Sequence, residues 1–377
     1  MTIKTLLLGS AAAFAVIGGA QAADLSVAEP VEYVKVCDYF GTGYFYIPGS
    51  DSCLKISGYV RMYANFYSTT ANITTDPSFT HSGTWDFQTQ GELQFDVKSQ
   101  TEYGALEGYG AFQGTYSGQP GAGHTTDEAP GGNGANSVTA DSFYLSLGGF
   151  KAGHFQSIAN PGGSYVDDFG LATEIKSGLA DANKVQMSWA AAGFGIALAV
   201  EDPRETWGSA LPDTWSMPLI TGRISTSQTN WSGELHGGFT SLYSGTSWGV
   251  GGQAVLNLSK NDHLILNGQY GDDAFIGGGF NGYSLNFNPA TNSGWSAFAS
   301  FQHMFSPTFL ASVEGSYLQR SGGGPTAWTA AADLVWMPVT NFKAKATIGY
   351  GQDNFPGGTT YSTGGSWLAQ IAFQRSW

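Results

Sequence analysis

Between Trp85 and Lys98 the chain changes character at every step. Trp85, Phe87, Thr89, Gly91, Leu93, Phe95 and Val97 alternate with Asp86, Gln88, Gln90, Glu92, Gln94, Asp96 and Lys98. A β-strand puts successive side chains on opposite faces, so this segment has one greasy face and one wet face. A helix, with its period of 3.6, would mix the two sets. The pattern recurs from Leu54 to Tyr67, where Ile56, Gly58, Val60, Met62, Ala64 and Phe66 oppose Lys55, Ser57, Tyr59, Arg61, Tyr63 and Asn65. It returns at Lys184 to Ala190 and at Phe342 to Tyr350, so the same rule governs both halves of the chain.

Alternation alone fits a soluble sandwich, whose apolar faces form a core, or a membrane barrel, whose apolar faces meet lipid. Composition separates them. Charged residues make up 12% of the 377 residues and aromatics 14%, with 54 glycines, so the polar faces are built from Ser, Thr, Asn, Gln and Gly. Core-forming Leu and Ile runs are missing, and Trp or Tyr recurs at strand ends. No stretch approaches the roughly 18–20 apolar residues of a spanning helix. Strands are expected at 54–67, 84–99, 105–117, 139–148, 150–156, 184–191, 194–201 and 218–227. Eight more are expected at 231–240, 247–258, 263–271, 292–305, 309–320, 326–337, 342–352 and 365–377. Sixteen is an even number, as antiparallel closure with both termini on one side requires. The expected fold is all-β, a sixteen-stranded antiparallel transmembrane β-barrel over 54–377.

Short turns at 101–104, 259–262, 306–308 and 338–341 alternate with longer loops at 118–138, 202–217, 272–291 and 354–364. In such barrels short turns face the periplasm and long loops the exterior. The connection 157–183 differs, with Pro161-Gly162-Gly163 followed by Asp167, Asp168, Glu174, Lys176 and Asp181. Sixteen strands leave an aqueous channel, and this third external loop is the candidate to fold inward and narrow it.

The first residues read as an export signal, 1–22: Lys4, an apolar run from Leu6 to Ile17, then Ala20-Gln21-Ala22. Residues 23–53 then form a periplasmic segment. It holds Cys37 and Cys53, the chain's two cysteines, and export makes a disulfide the natural reading. The formal charge of −14, without a basic patch, argues against nucleic acid as a partner.

Three runs carry a family resemblance: Glu32-Tyr33-Val34-Lys35-Val36-Cys37-Asp38, then Gly41-Thr42-Gly43-Tyr44-Phe45-Tyr46-Ile47-Pro48-Gly49, then Cys53-Leu54-Lys55-Ile56-Ser57-Gly58-Tyr59-Val60-Arg61. Together with Thr101-Glu102-Tyr103-Gly104, Leu145 to Phe150 and Ala199-Val200-Glu201-Asp202, they closely resemble the porins of alphaproteobacteria such as Brucella and the rhizobia. The resemblance implies a sixteen-stranded barrel, a homotrimer, and a third external loop that forms the constriction. Members of that family commonly end in Phe; this chain ends in Trp377 after Phe373 and Arg375, keeping an aromatic end that resembles a signal for the barrel assembly machinery.

An inward loop would set Asp167, Asp168, Glu174 and Asp181 against wall bases which, by parity, include Arg61, Arg223, Lys343 and Lys345. Opposed charge across a wet gap makes a transverse field, and the excess of acids implies a weak cation preference. The apolar faces would meet outer-membrane lipid and lipopolysaccharide, with Trp85, Tyr109, Trp189, Trp231, Trp328, Trp336 and Trp367 as interfacial girdle. The expected function is passive diffusion of small hydrophilic solutes and ions. The alternatives are a sugar- or amino-acid-selective channel, with Tyr59 and Tyr63 stacking sugars, and a barrel enzyme or adhesin. Enzyme signals are poor: Gly245-Thr246-Ser247-Trp248-Gly249 matches a hydrolase elbow, but a strand follows where a helix is needed. The six histidines show no metal-ligand spacing, so no metal and no cofactor is expected; Asp272-Asp273 is at most a weak Ca²⁺ candidate.

Overall fold

The computed structural model describes residues 35–69, 84–117, 137–166, 179, 181–204, 217–242, 245–276, 293–324, 326–354 and 364–377. The export signal and the loop acids Asp167, Asp168 and Glu174 lie outside them. A two-residue strand, β1 (Phe45–Tyr46), precedes sixteen longer ones. The first eight are β2 (Cys53–Thr69), β3 (Thr84–Thr101), β4 (Gly104–Ser117), β5 (Ser137–Leu147), β6 (Phe150–Gln156), β7 (Asp181–Ala191), β8 (Phe194–Glu201) and β9 (Leu219–Ser227). The others are β10 (Trp231–Leu242), β11 (Gly245–Asn257), β12 (Asp262–Asp272), β13 (Ser293–Ser306), β14 (Phe309–Arg320), β15 (Thr326–Trp336), β16 (Phe342–Asn354) and β17 (Gly364–Ser376). Each expected strand is present with ends within three residues; the largest shift is at β7, which begins at Asp181 rather than at Lys184.

Every long strand pairs antiparallel with both neighbours, and β17 closes onto β2 from Ser366↔Thr69 to Ser376↔Tyr59. The terminal residue extends the seam, Trp377 N donating to Gly58 O at 3.1 Å. Closure leaves no sheet edge, which matters because an unpaired backbone group in hydrocarbon costs several kcal/mol. Tight turns join strands at one end. Between β7 and β8, Ala192 and Gly193 both take positive φ, 50° and 83°, the twist-compatible hairpin geometry.

The outer face carries the alternation's apolar set. Phe239↔Trp248, Tyr270↔Trp295, Tyr317↔Trp328, Tyr350↔Trp367 and Phe66↔Trp85 are register partners on ten consecutive strands, β10 through β17 and on to β3. Successive pairs also touch, Trp248 to Tyr270 at 5.8 Å and Trp295 to Tyr317 at 5.3 Å between ring centroids. This is an interfacial aromatic belt. Tyr109 is not part of any girdle. It lies on the lumen face of β4 beside Glu107 and Gln113 and stacks on Tyr144 at 4.9 Å, because its odd parity is the parity of the wet face.

The two faces make opposite demands on charge. Val313, 52% exposed, stands midway along β14 between Tyr317 and Phe309, whereas Gln302 faces the lumen on β13. Val313→Arg should destabilise the folded barrel by about 2–4 kcal/mol, the cost of a cation at the bilayer midplane, while Gln302→Arg should fold as the parent does. Equilibrium unfolding of the refolded protein in lipid vesicles reads both; equal losses would refute the assignment of faces.

Candidate functional site

The wet face becomes the lumen wall. Nine bases hold positions on it, Lys55, Arg61, Lys98, Lys151, Lys184, Arg223, Arg320, Lys343 and Lys345, alongside the acids Glu92, Asp96, Glu107, Glu201, Glu234, Glu314 and Asp333, with Asp86 of β3 and Asp353 of β16 at register positions of the same parity. Register brings three of the four expected wall bases together. Lys343 and Arg61 both pair with Gln374 of β17, and Lys345 is next on the same face of β16. The Arg61 guanidinium lies 4.9 Å from the Tyr59 ring centroid and 5.8 Å from that of Tyr63. Arg223 sits on β9, seven strands away from β2, where it faces Glu234 at 3.8 Å.

The third external loop folds into the barrel over its described part. Ser157, Ile158, Ala159 and Val166 are buried. Ile158 packs on Ala197 and Ala199 of β8, and Ala159 clusters with Leu179, with Leu219 of β9 and with Phe275 of the short helix α1 (Asp273–Ile276). Burying such side chains is worth about 1.5–3 kcal/mol each, so the loop's root is held by apolar contact. Its far part is held by hydrogen bonds. Tyr165 N donates to Ser300 Oγ of β13 at 3.0 Å, and Ser164 Oγ donates to the Glu314 carboxylate of β14.

From β6 to β14 is eight strands, half of the circumference. Sixteen strands about 4.8 Å apart and tilted about 40° enclose a backbone diameter of roughly 32 Å. Ser157 to Asn160 form a turn, Asn160 N donating to Ser157 O at 3.1 Å, and from there the chain runs to Ser164 and its contact with Glu314. Pro161, Gly162 and Gly163 suit such a path: they form no strand, and Gly162 and Gly163 adopt φ of 59° and 85°, open to glycine. The described loop thus keeps to the β8–β14 side, with Arg223 behind it and Arg61, Lys343 and Lys345 on the other arc. Asp181 is the first residue of β7. With Tyr109, Tyr144, Lys151 and Arg223 it lines a cavity of about 610 Å³ at the loop's root.

Several bases not singled out from the sequence have fixed roles. Lys184 is fully enclosed, 3.8 Å from Glu201, which also accepts from Thr221 Oγ1 at 2.6 Å. Lys151 Nζ sits 3.4 Å from the Tyr144 ring centroid and 4.1 Å from that of Phe155. The parity that names Arg61 would have named both. Tyr59 and Tyr63, the sugar-stacking candidates, are engaged: Tyr63 is buried and donates to Gln88 at 2.6 Å, and Tyr59 donates to Gln90 at 3.1 Å. Ser247 of the elbow-like motif lies inside β11, completely buried, with no strand-to-helix turn around it. Asp272 accepts from Trp248 N at 2.8 Å, the side chain of Asp273 is outside the described residues, and no metal-holding cluster occurs among the described residues. Cys37 and Cys53 form the expected disulfide, with Cα atoms 6.1 Å apart. Phe373 and Trp377 are half exposed at the closing seam.

A closed barrel crossed by its third loop has the form of a diffusion channel, and comparison with known proteins agrees. The family model described as "Porin subfamily" matches residues 24–366. The chain belongs to that family. The porin is 28% identical over 383 residues to Porin Omp2a of Brucella suis biovar 1, covering 91% of this chain and 99% of that one. It is 39% identical over 181 residues to the "Putative outer membrane protein y4fJ" of Sinorhizobium fredii, where the match covers 47% of this chain and only half of that protein. Its fold is similar to that of the outer membrane channel DcaP of Acinetobacter baumannii, with a TM-score of 0.69 at 12% identity over 88% of this chain and 99% of that one. It is an outer-membrane channel protein, not an enzyme.

Loop docking should depend on Ser300. Ser300→Ala leaves the Tyr165 amide without its acceptor, a penalty of about 1–3 kcal/mol when buried. Single-channel records should then show a noisier open level than the parent, with unchanged barrel thermal stability; a quiet, parent-like trace would refute the anchor.

Proposed function

We propose that the porin passes small hydrophilic solutes and ions by passive diffusion through an eyelet, bounded by the loop 157–183 on one side and by the arc carrying Arg61, Lys343 and Lys345 on the other. The observation that carries this reading is the pair of contacts from Ser164 and Tyr165 to β14 and β13, which put the loop across the lumen. Asp167, Asp168 and Glu174 belong to that loop. With the three bases on the open arc they would create a transverse field that orders water and orients dipolar solutes.

The ion preference follows from the balance. On the strand faces the nine bases are matched by the seven acids named above together with Asp86 and Asp353 at register positions of the same parity, and Asp96, Glu107, Glu201 and Glu234 are each within 4 Å of a base. The wall alone therefore carries little net preference. The proposed weak cation preference rests on the loop acids. Reversal potentials across a salt gradient test it: Asp167→Asn with Asp168→Asn should move selectivity toward anions, and Lys343→Gln with Lys345→Gln further toward cations. Anion preference in the parent, unmoved by neutralising Asp167 and Asp168, would overturn the assignment.

The functional unit is proposed to be a homotrimer embedded in outer-membrane lipid and lipopolysaccharide, with Phe373 and Trp377 presented to the barrel assembly machinery. Trimerisation predicts a band of three times the monomer mass on unheated detergent gels that collapses on boiling; a monomer under mild extraction would refute it.

A further inference from the structure

A second segment packs on the lumen wall at the short-turn end. The segment before β2 does not hang free. Val36 bridges Phe45, Cys37 N donates to Tyr44 O at 2.9 Å, and the disulfide ties the segment to Cys53, the first residue of β2, on its lumen face. The turn at Gly43, φ 89°, lies against the Lys55 side chain, 3.6 Å from a Cβ placed there. It carries Tyr44, 6% exposed, onto the wall. The Tyr44 hydroxyl donates to Asp96 at 2.5 Å and accepts from Lys98 at 3.0 Å; Lys98 also lies 3.2 Å from Glu107 on β4. Burial and the Asp96 hydrogen bond raise the Tyr44 pKa, so the phenol stays a neutral donor. On the far side of the segment Val36 and Tyr39 are open to water, 60% and 69% exposed.

We infer that this cystine-tethered segment is a second filter in series with the third loop, the segment that Tyr44 pins to the wall setting the width of the periplasmic mouth and Lys98 its charge. The loop reaches the wall at mid-height, at Ser300 of β13 and Glu314 of β14, and this segment takes the β2–β4 side at the short-turn end, so a solute meets two unlike restrictions in turn. Lys98 lies 3.0 Å from Asp96 and 3.2 Å from Glu107, so its ammonium offsets two carboxylates, while Lys55, the register partner of Asp96, lies 5.8 Å from the Tyr44 ring centroid. The inference presupposes the water-filled channel and is independent of its ion preference.

Planar-bilayer recording of the refolded mature protein tests it. Cys37→Ser with Cys53→Ser, and separately Tyr44→Ala, should raise the open conductance by about 1.2-fold or more, because a series resistance is removed. Liposome swelling should show a larger solute cut-off. Lys98→Gln should shift the reversal potential toward cations. Tyr39→Cys, with the native disulfide kept, should lose conductance when a polyethylene-glycol maleimide is added on the short-turn side only. Parent-like conductance, cut-off and selectivity in all of these, in barrels that still show heat-modifiable gel mobility, would overturn the inference, as would lost thermal stability with the open current unchanged.

Discussion

Hydrocarbon cannot accept a hydrogen bond, and the rest of this structure follows from that constraint. A chain that crosses the membrane as strands has to pair every backbone group on both sides, so the sheet must close. The β17–β2 seam is where that requirement is met, between residues 297 to 317 positions apart in sequence. Closure in turn fixes the two faces. Once each strand has two partners, its side chains can only point to lipid or to lumen, and the alternation of the sequence becomes an inside and an outside.

The cylinder so formed is wider than a small solute, and other parts of the chain fold against its inner wall. The third loop is one, docked by apolar contacts of Ile158 and Ala159 at its root and by Ser164 and Tyr165 at its far end. The helix α1 is another, with Phe275 and Ile276 buried against the same wall; a Cβ on Gly249 would overlap Phe275, so glycine there makes room for it. Charged wall residues are mostly engaged rather than loose: Lys184 with Glu201, Lys98 with Asp96 and Glu107, Arg223 with Glu234. Such pairing holds the rim of a wet channel in a defined shape, and a fixed shape is what a diffusion pore needs for a reproducible cut-off.

Local patterns along the chain are enough to specify the barrel. Period-two alternation, turn residues and the even strand count are local properties, each written within about fifteen residues, and they placed all sixteen strands and the parity that sends Arg61 and Lys343 inward. The same parity puts Lys98 and Lys184 on the wet face; applied more widely it would have reached Lys151 and would have moved Tyr109 from the girdle to the lumen. The disulfide was legible for a similar reason, since two cysteines in an exported chain have one partner each.

Only the tertiary structure decided which wall residues share a neighbourhood. Register with β17 puts Arg61 beside Lys343, and it puts Arg223 across the barrel behind the loop, although parity treats all three alike. Likewise Asp181 opens a strand rather than riding on the loop, and Tyr44 reaches a wall residue fifty-two positions away. Alternation states the face of a residue but not its height or its angle around the axis. Those depend on the stagger of strands that pair over long distances, and no local pattern encodes it.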